Sequence, residues 1–319
     1  MSTNTFDPVS IAAVREQRQA RAARRWQRLL PYLLIFPTLL FIFVFTLWPT
    51  VNAVISSTIR PGPTVHIPDK FVGIQNYLDL FDPSGDIGQS FPAILINTIL
   101  YVLVTVPVGM ALAFFLALAL NRKLRAIGFF RFAFFYPVLM PMIGAASIFA
   151  FLYADNIGLI NVVLRSIGAP THTWIGDAFW TPIAIIVVAI WKQTGFYMII
   201  YLAALQSLPS DVFEAADLDG ASPWRKLRSI TWPLLSGTTV FVLISAATTS
   251  FQMVDQLYAL GEGVPSNKSN LLLYYIFQKY NERANTGYVN AITVILLVLL
   301  MCFTVFNFAV LDRQAYYES

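Results

Sequence analysis

The chain has 319 residues, 57% of them hydrophobic and 12% charged, where a soluble domain carries about 25% charged residues. That shortage of charge excludes an ordinary soluble domain, and apolar runs of about 18 residues or more read as membrane-spanning helices. The net charge of +4 does not point to nucleic acid, because the basic residues flank apolar runs, where membrane topology puts them.

Residues 1–28 form a basic tail with Arg15, Arg18, Arg21, Arg24, Arg25 and Arg28. It reads either as a solvated arm or as a surface helix capped by Ser10, and not as a signal peptide. The predicted fold class is an all-α polytopic membrane protein with six spans between residues 29 and 311, followed by a tail over 312–319. The spans are expected near Leu29–Val51, Ala93–Leu120, Phe129–Tyr153, Thr181–Leu205, Leu234–Leu260 and Tyr288–Leu311. Each is long enough for a hydrocarbon core of about 30 Å. Pro31, Pro37 and Pro49 are expected to kink or bound the first.

Orientation follows from Lys and Arg. Six lie in the N-terminal tail, four in the 121–131 turn, three in the 206–233 connection and one in the C-terminal tail, fourteen on one side against six in the longer loops opposite. Both termini and the 206–233 loop are therefore expected in the cytoplasm. The outer connections are about 51–92, 154–180 and 261–287, with a short surface helix expected near Phe71–Tyr77.

The 206–233 stretch is the most informative. Ser210 is placed to cap a first helix over about Asp211–Asp219. Gly220 can end it in the left-handed conformation. Ser222 then caps a second helix with Pro223 at its first position. Val212, Phe213, Ala216 and Leu218 are the apolar residues the first helix has to bury. So short a helix is marginal alone, and from the residues it either docks on a partner or folds back on its own bundle.

Glu214-Ala215-Ala216, then Gly220, Ile230 and Pro233, resemble the EAA signature of ABC importer permeases. Trp232 stands where that family usually has Leu. Further stretches resemble sugar-type permeases of the maltose and glycerol-3-phosphate branch: Phe71–Tyr77, Asn97-Thr98, Gly158–Asn161, Leu205–Pro209 and Asp217–Ala221. Gly261-Glu262-Gly263-Val264-Pro265 departs from the Gly-Gly-Pro found there in that branch. The resemblance implies an inner-membrane permease whose loop docks on cytoplasmic ATPase subunits through Phe213, Glu214, Ala215, Ala216, Asp217, Gly220, Ser222 and Trp224. It implies two such ATPases, a second related permease chain and an extracytoplasmic binding protein. The cargo it implies is a small polar solute such as a sugar, glycoside, polyol phosphate or sulfonated sugar.

No cofactor is expected in this chain. A P-loop would need Gly at 262 and 267, where Glu262 and Asn267 stand, so ATP and Mg are assigned to the partner ATPase. There is no catalytic constellation and no metal-ligand spacing; His66 and His172 read as surface polar groups, and Cys302 is the only cysteine. Polar residues within spans are costly and mark functional candidates: Asn97, Lys192, Gln193, Tyr197, Gln252, Asp255 and Gln256. They read as a solute path, with Gln252, Asp255 and Gln256 on one side of the fifth span. Lys192 is alternatively a structural ion-pair partner of Asp255 or of a carboxylate on a second permease. Trp26, Trp48, Trp174 and Trp180 read as interfacial anchors rather than sugar platforms. The competing function is a stand-alone secondary transporter or channel, with a membrane enzyme a weaker third.

Overall fold

The computed structural model describes residues 30–62, 67–122, 125–260, 269–282 and 285–307. The two tails, Trp26, His66 and the 261–268 loop lie outside the described residues. The chain divides into two units, Met1–Ser56 and Ser57–Ser319.

The described part of the first unit is one helix, α1, Leu30–Ser56. It runs past Pro37 and Pro49 without stopping, five residues beyond the expected end at Val51. Within it Phe43–Leu47 is a π-turn, and the Trp48 N–H donates to the Phe43 carbonyl. Pro49 has no N–H to donate, and the wider turn just before it absorbs the lost bond.

The second unit begins with a two-stranded antiparallel ribbon, β1 (Ile59–Arg60) and β2 (Lys70–Phe71), pairing Ile59 with Phe71. Phe71 is thus strand rather than helix, and the surface helix α2 is shifted to Gln75–Asp79. There follow α3 (Asp86–Leu120), α4 (Ile127–Leu139), α5 (Met142–Leu152) and α6 (Leu159–Ser166). Next come α7 (Trp180–Ser207), α8 (Ser210–Leu218), α9 (Pro223–Leu234) and α10 (Ser236–Phe251). The last three are α11 (Asp255–Leu260), α12 (Leu272–Asn281) and α13 (Thr286–Phe306).

Among the described residues, four helices are long and apolar enough to cross a membrane: α1, α3, α7 and α13. The expected third span is instead a pair, α4 and α5, bent by 100°. Pro141 is the cause, since the residue before a proline is driven out of the helical region, and Met140 has ψ 142°. The expected fifth span is also broken. Its helix α10 meets α9 at a 68° bend beside Leu235 and stops at Phe251, so that residues 252–254 separate it from α11. Counting each bent pair as one span gives six.

The core is built on α3 against α7, with α4 and α10 packed beside them and α11 on α5. On α7 the buried positions include Ala184, Ile185, Val188, Ala189, Lys192, Gly195 and Met198, a stripe at helical spacing. Its small residues allow close approach. Gly195 is the tightest point, because a Cβ there would lie 2.0 Å from the Phe134 carbonyl oxygen of α4. At the end away from the 206–233 loop, buried Asn76 donates to the carbonyls of Ser57 and Ile59 at 2.8 and 3.1 Å. Asp79 pairs with Arg60 and accepts from the Tyr288 hydroxyl of α13 at 2.8 Å.

Two outcomes are expected. Gly195→Val forces backbone apart where α7 meets α4, so the purified transporter should lose thermal stability, by about 2–3 kcal/mol in chain terms. An unchanged melting temperature would remove that contact from the fold. For Asp79, burial raises the carboxyl pKa, but hydrogen bonds from Gln75, Tyr288 and Arg60 and the Arg60 charge outweigh it, leaving the group below the ordinary carboxylate value. A depressed native pKa contributes stability above the unfolded pKa of about 3.9 that disappears as pH falls through the native one. Melting curves between pH 6 and pH 3 should therefore fall more steeply for the natural chain than for Asp79→Asn.

Candidate functional site

The 206–233 loop is held by local backbone devices. Helix α8 starts at Ser210 rather than after it; Pro209 occupies the cap position, and the Ser210 hydroxyl reaches only the Asp211 carboxylate at 3.3 Å. Its far end is a Schellman turn: Gly220 has φ +69°, the Ala221 N–H donates to the Ala216 carbonyl at 2.9 Å, and the Gly220 N–H to the Asp217 carbonyl at 3.1 Å. Ser222 accepts from the Arg225 N–H at 3.3 Å, with Pro223 opening α9. The Lys226 ammonium bonds the Asp217 carboxylate at 2.5 Å, tying α9 to α8.

This arrangement sorts the candidate docking residues. Ala216 is 8% exposed and faces inward, with Phe213 half-buried beside it. Glu214, Ala215, Asp217, Gly220, Ser222 and Trp224 are exposed. Of the four apolar residues expected to be buried, Val212 and Leu218 point out instead. A helix of two and a half turns has only one inward stripe, and Phe213 and Ala216 occupy it. Leu218 is 90% exposed and Trp224 67%, and Val212 and Ala215 are exposed as well. From sequence Leu218 was a candidate for burial, and only the turn at Gly220 shows which way it faces.

The polar residues within the spans fall into two groups. Lys192 is 7% exposed and donates from Nζ to the Val138 carbonyl at 2.8 Å. In a continuous helix that carbonyl would accept from residue 142. The bend at Pro141 removes this donor, and the ammonium replaces it at the negative end of the α4 dipole. Among the described residues Lys192 makes no ion pair, so the alternative of a pair with Asp255 is not seen within this chain. Gln193 beside it is half-buried.

The second group lies between α3, α7 and α11. Gln256 is fully buried and donates to the Tyr101 hydroxyl at 2.9 Å, while its Oε1 has no partner. Tyr197 is buried on α7, its hydroxyl facing Ser245 and Thr249 of α10. Asn97, Tyr101, Ser269 and Leu271 line a cavity of about 170 Å3, below the 300–1,000 Å3 of most ligand sites. Gln252 and Asp255 do not share a face with Gln256. Both are exposed, because the helix ends at Phe251 and restarts at Asp255.

Sequence reading missed Tyr101 and Thr105. They stand one and two turns after Asn97, a polar stripe at i, i+4 and i+8 in an otherwise apolar span, and the buried Thr105 hydroxyl faces that of Tyr101. Trp174 and Trp180 are not isolated anchors. They pack edge to face at 5.0 Å, and His172 stacks on Trp180 at 3.9 Å rather than standing free. Buried Asn161 holds this cluster by accepting from Trp174 Nε1 at 2.9 Å and donating to the His172 carbonyl at 2.9 Å.

Residues 21–315 match the family model for the binding-protein-dependent transport system inner membrane component. The chain is 31% identical to the sulfoquinovosyl glycerol transport system permease protein SmoG of Agrobacterium fabrum, over 91% of this chain and 94% of that one. It is 28% identical to the sn-glycerol-3-phosphate transport system permease protein UgpA of the same organism, over 91% and 97%. Against the trehalose/maltose transport system permease protein MalF of Thermococcus litoralis it is 31% identical over 86% and 91%. The fold is similar to a chain in the crystal structure of a bacterial alginate ABC transporter with its alginate-bound periplasmic protein. There the TM-score is 0.79 at 19% identity, covering 93% of this chain and all of that one. The chain thus belongs to the family of binding-protein-dependent transport system inner membrane components, as a multi-pass permease subunit of an ABC importer.

Proposed function

We propose that this permease, paired with a second related permease chain, forms the path for a sugar, glycoside or related polar solute that an extracytoplasmic binding protein delivers. Two cytoplasmic ATPase subunits drive it by docking on the 206–233 loop of each permease; ATP and Mg are held there, not in this chain. The carrying observation is Leu218, 90% exposed on a short helix whose position is fixed by the Gly220 turn and the Asp217–Lys226 bond. Without a partner that side chain stays in water; a docked partner surface covers it.

The excess of Lys and Arg around the same loop supports a cytoplasmic location, with both termini on that side. The names of the relatives, which transport sulfoquinovosyl glycerol, glycerol-3-phosphate and trehalose or maltose, support a hydroxyl-rich cargo. The stand-alone transporter raised by the sequence finds no support in a family of binding-protein-dependent systems.

In the cycle, closure of the two ATPase subunits pushes α8. The rigid α8–α9 unit passes the displacement to α10, and the spans change from inward-facing to outward-facing. Asn97, Tyr101, Tyr197 and Gln256 are the polar groups assigned to the solute path, with Gln252 and Asp255 at its outer mouth. Lys192 and Gln193 leave that assignment, since the ammonium serves the α4 terminus.

Two experiments bear on this. Glu214→Lys should reduce uptake at least tenfold while ATP hydrolysis persists or assembly fails. Gly220→Val should do the same, because φ +69° costs a β-branched residue about 1–2 kcal/mol or more. Normal transport in both, with an intact ATPase, would remove the docking role. For the path, Gln256→Leu should raise the KM for uptake severalfold, whereas Lys192→Met should lower the melting temperature and leave KM unchanged. The reverse pattern would return Lys192 to the solute site.

A further inference from the structure

Between the loop-side ends of α3, α7 and α10 and the helix α9 lies a cavity of about 680 Å3. Its wall is nearly all apolar. Pro107, Met110 and Phe115 come from α3, Leu243 from α10 and Leu227 from α9, with the Tyr201 ring on the α7 side. Phe114 stacks edge to face on both Tyr201 and Trp232, at 5.5 and 5.3 Å, and so forms a fixed back wall. Pro107 lies thirteen residues before the end of α3 at Leu120, about 20 Å along the helix. The cavity therefore reaches from the loop well into the hydrocarbon depth.

The cavity is open on one side and nearly all apolar. Water finds no partners on such a wall, so it suits an apolar occupant. The charge at the rim indicates its other end. Arg228 lines the cavity from α9, is exposed, and makes no ion pair among the described residues. Trp224 and Trp232 flank it, and indole rings settle at the headgroup level of a bilayer. A deep apolar slot with a guanidinium at a Trp-lined mouth complements an amphiphile with a long hydrocarbon tail and an anionic head.

We propose that this cavity binds one anionic phospholipid of the inner leaflet, an acyl chain beside Met110 and Phe115 and the phosphate on Arg228. The leaflet rests on the cytoplasmic placement of the loop given above; the pocket itself does not. Basic pockets between membrane helices on that side hold anionic headgroups. Because α9 forms the lip and also joins the docking helix to α10, the lipid would brace the segment through which ATPase motion reaches the spans.

The test uses the complete transporter with its partner subunits, delipidated in detergent. It is titrated with phosphatidylglycerol or phosphatidylcholine of identical chains and read by native mass spectrometry. The expected result is one tightly retained phosphatidylglycerol per copy of this chain, with phosphatidylcholine held about fivefold to tenfold more weakly, the effect of roughly one basic side chain near the headgroup. Ala111→Trp, which fills the cavity, should abolish the retained lipid. Arg228→Gln should bring phosphatidylglycerol down to the phosphatidylcholine level while sparing the fold. Equal retention of the two lipids by the natural protein would overturn the proposal, as would unchanged retention in both variants. So would a photo-crosslinker at Met110 that captures a polypeptide rather than lipid. The reading it rests on is tested separately, in a Cys302→Ser background: labelling of Arg225→Cys by an impermeant thiol reagent from outside intact cells would overturn the inner-leaflet placement, whatever the lipid count.

Discussion

The packing of α4 and α5 against α7 depends on how the backbone is satisfied where the third apolar run breaks. In hydrocarbon an unpaired carbonyl has no water to turn to, and Pro141 creates such a carbonyl at Val138. The chain answers with Lys192, reaching across from α7 at 2.8 Å. The same crossing contains Gly195, whose missing side chain lets α7 lie against the Phe134 carbonyl. Close approach and charge-assisted capping are one arrangement: without Gly195 the ammonium could not reach, and without the ammonium the broken end would be an uncompensated polar group. The cost of a cation at this depth is offset by a helix terminus that needs one.

The loop follows a different rule. Its shape is set within the ten residues 217–226 by a left-handed Gly220, a Ser222 cap, Pro223 and one short ion pair. None of these needs the bundle. That is why the short helix α8 can stand with Leu218 in the open, and why a push on it can be passed to α9 without first being absorbed in rearrangement of the turn.

The same distinction decides what could be read from the sequence. The loop was legible because each of its devices is a residue type with a local backbone consequence: Gly for positive φ, Ser before Pro for a helix start. Ser210 misled, since Pro209 took the cap one residue earlier, and so did Val212 and Leu218, whose facing no local rule sets. The breaks at Pro141 and Gln252 were not read, because a span-length window reports length, not continuity. Pro141 itself was the available signal. The partner of Lys192 was invisible in principle, being a backbone carbonyl exposed only by that break. The polar stripe of Asn97, Tyr101 and Thr105 was visible as a spacing of four, but a tyrosine and a threonine in a membrane helix pass as tolerated residues unless their periodicity is counted.

The half away from the loop is held by long-range side-chain bonds rather than local ones. Thr98 accepts from the Leu272 N–H, Gln256 donates to Tyr101, and Asp79 joins Arg60 to Tyr288, across separations of 174, 155 and up to 209 residues. A local cap survives when its element moves as a body. A bond between distant elements must be exchanged when they move apart. Under the function proposed above, such contacts suit the part of the molecule that rearranges during transport. Gln256 Oε1 is buried without a partner in this arrangement. Buried polar atoms are rarely left so, which is why Gln256 stands among the groups proposed for the solute path.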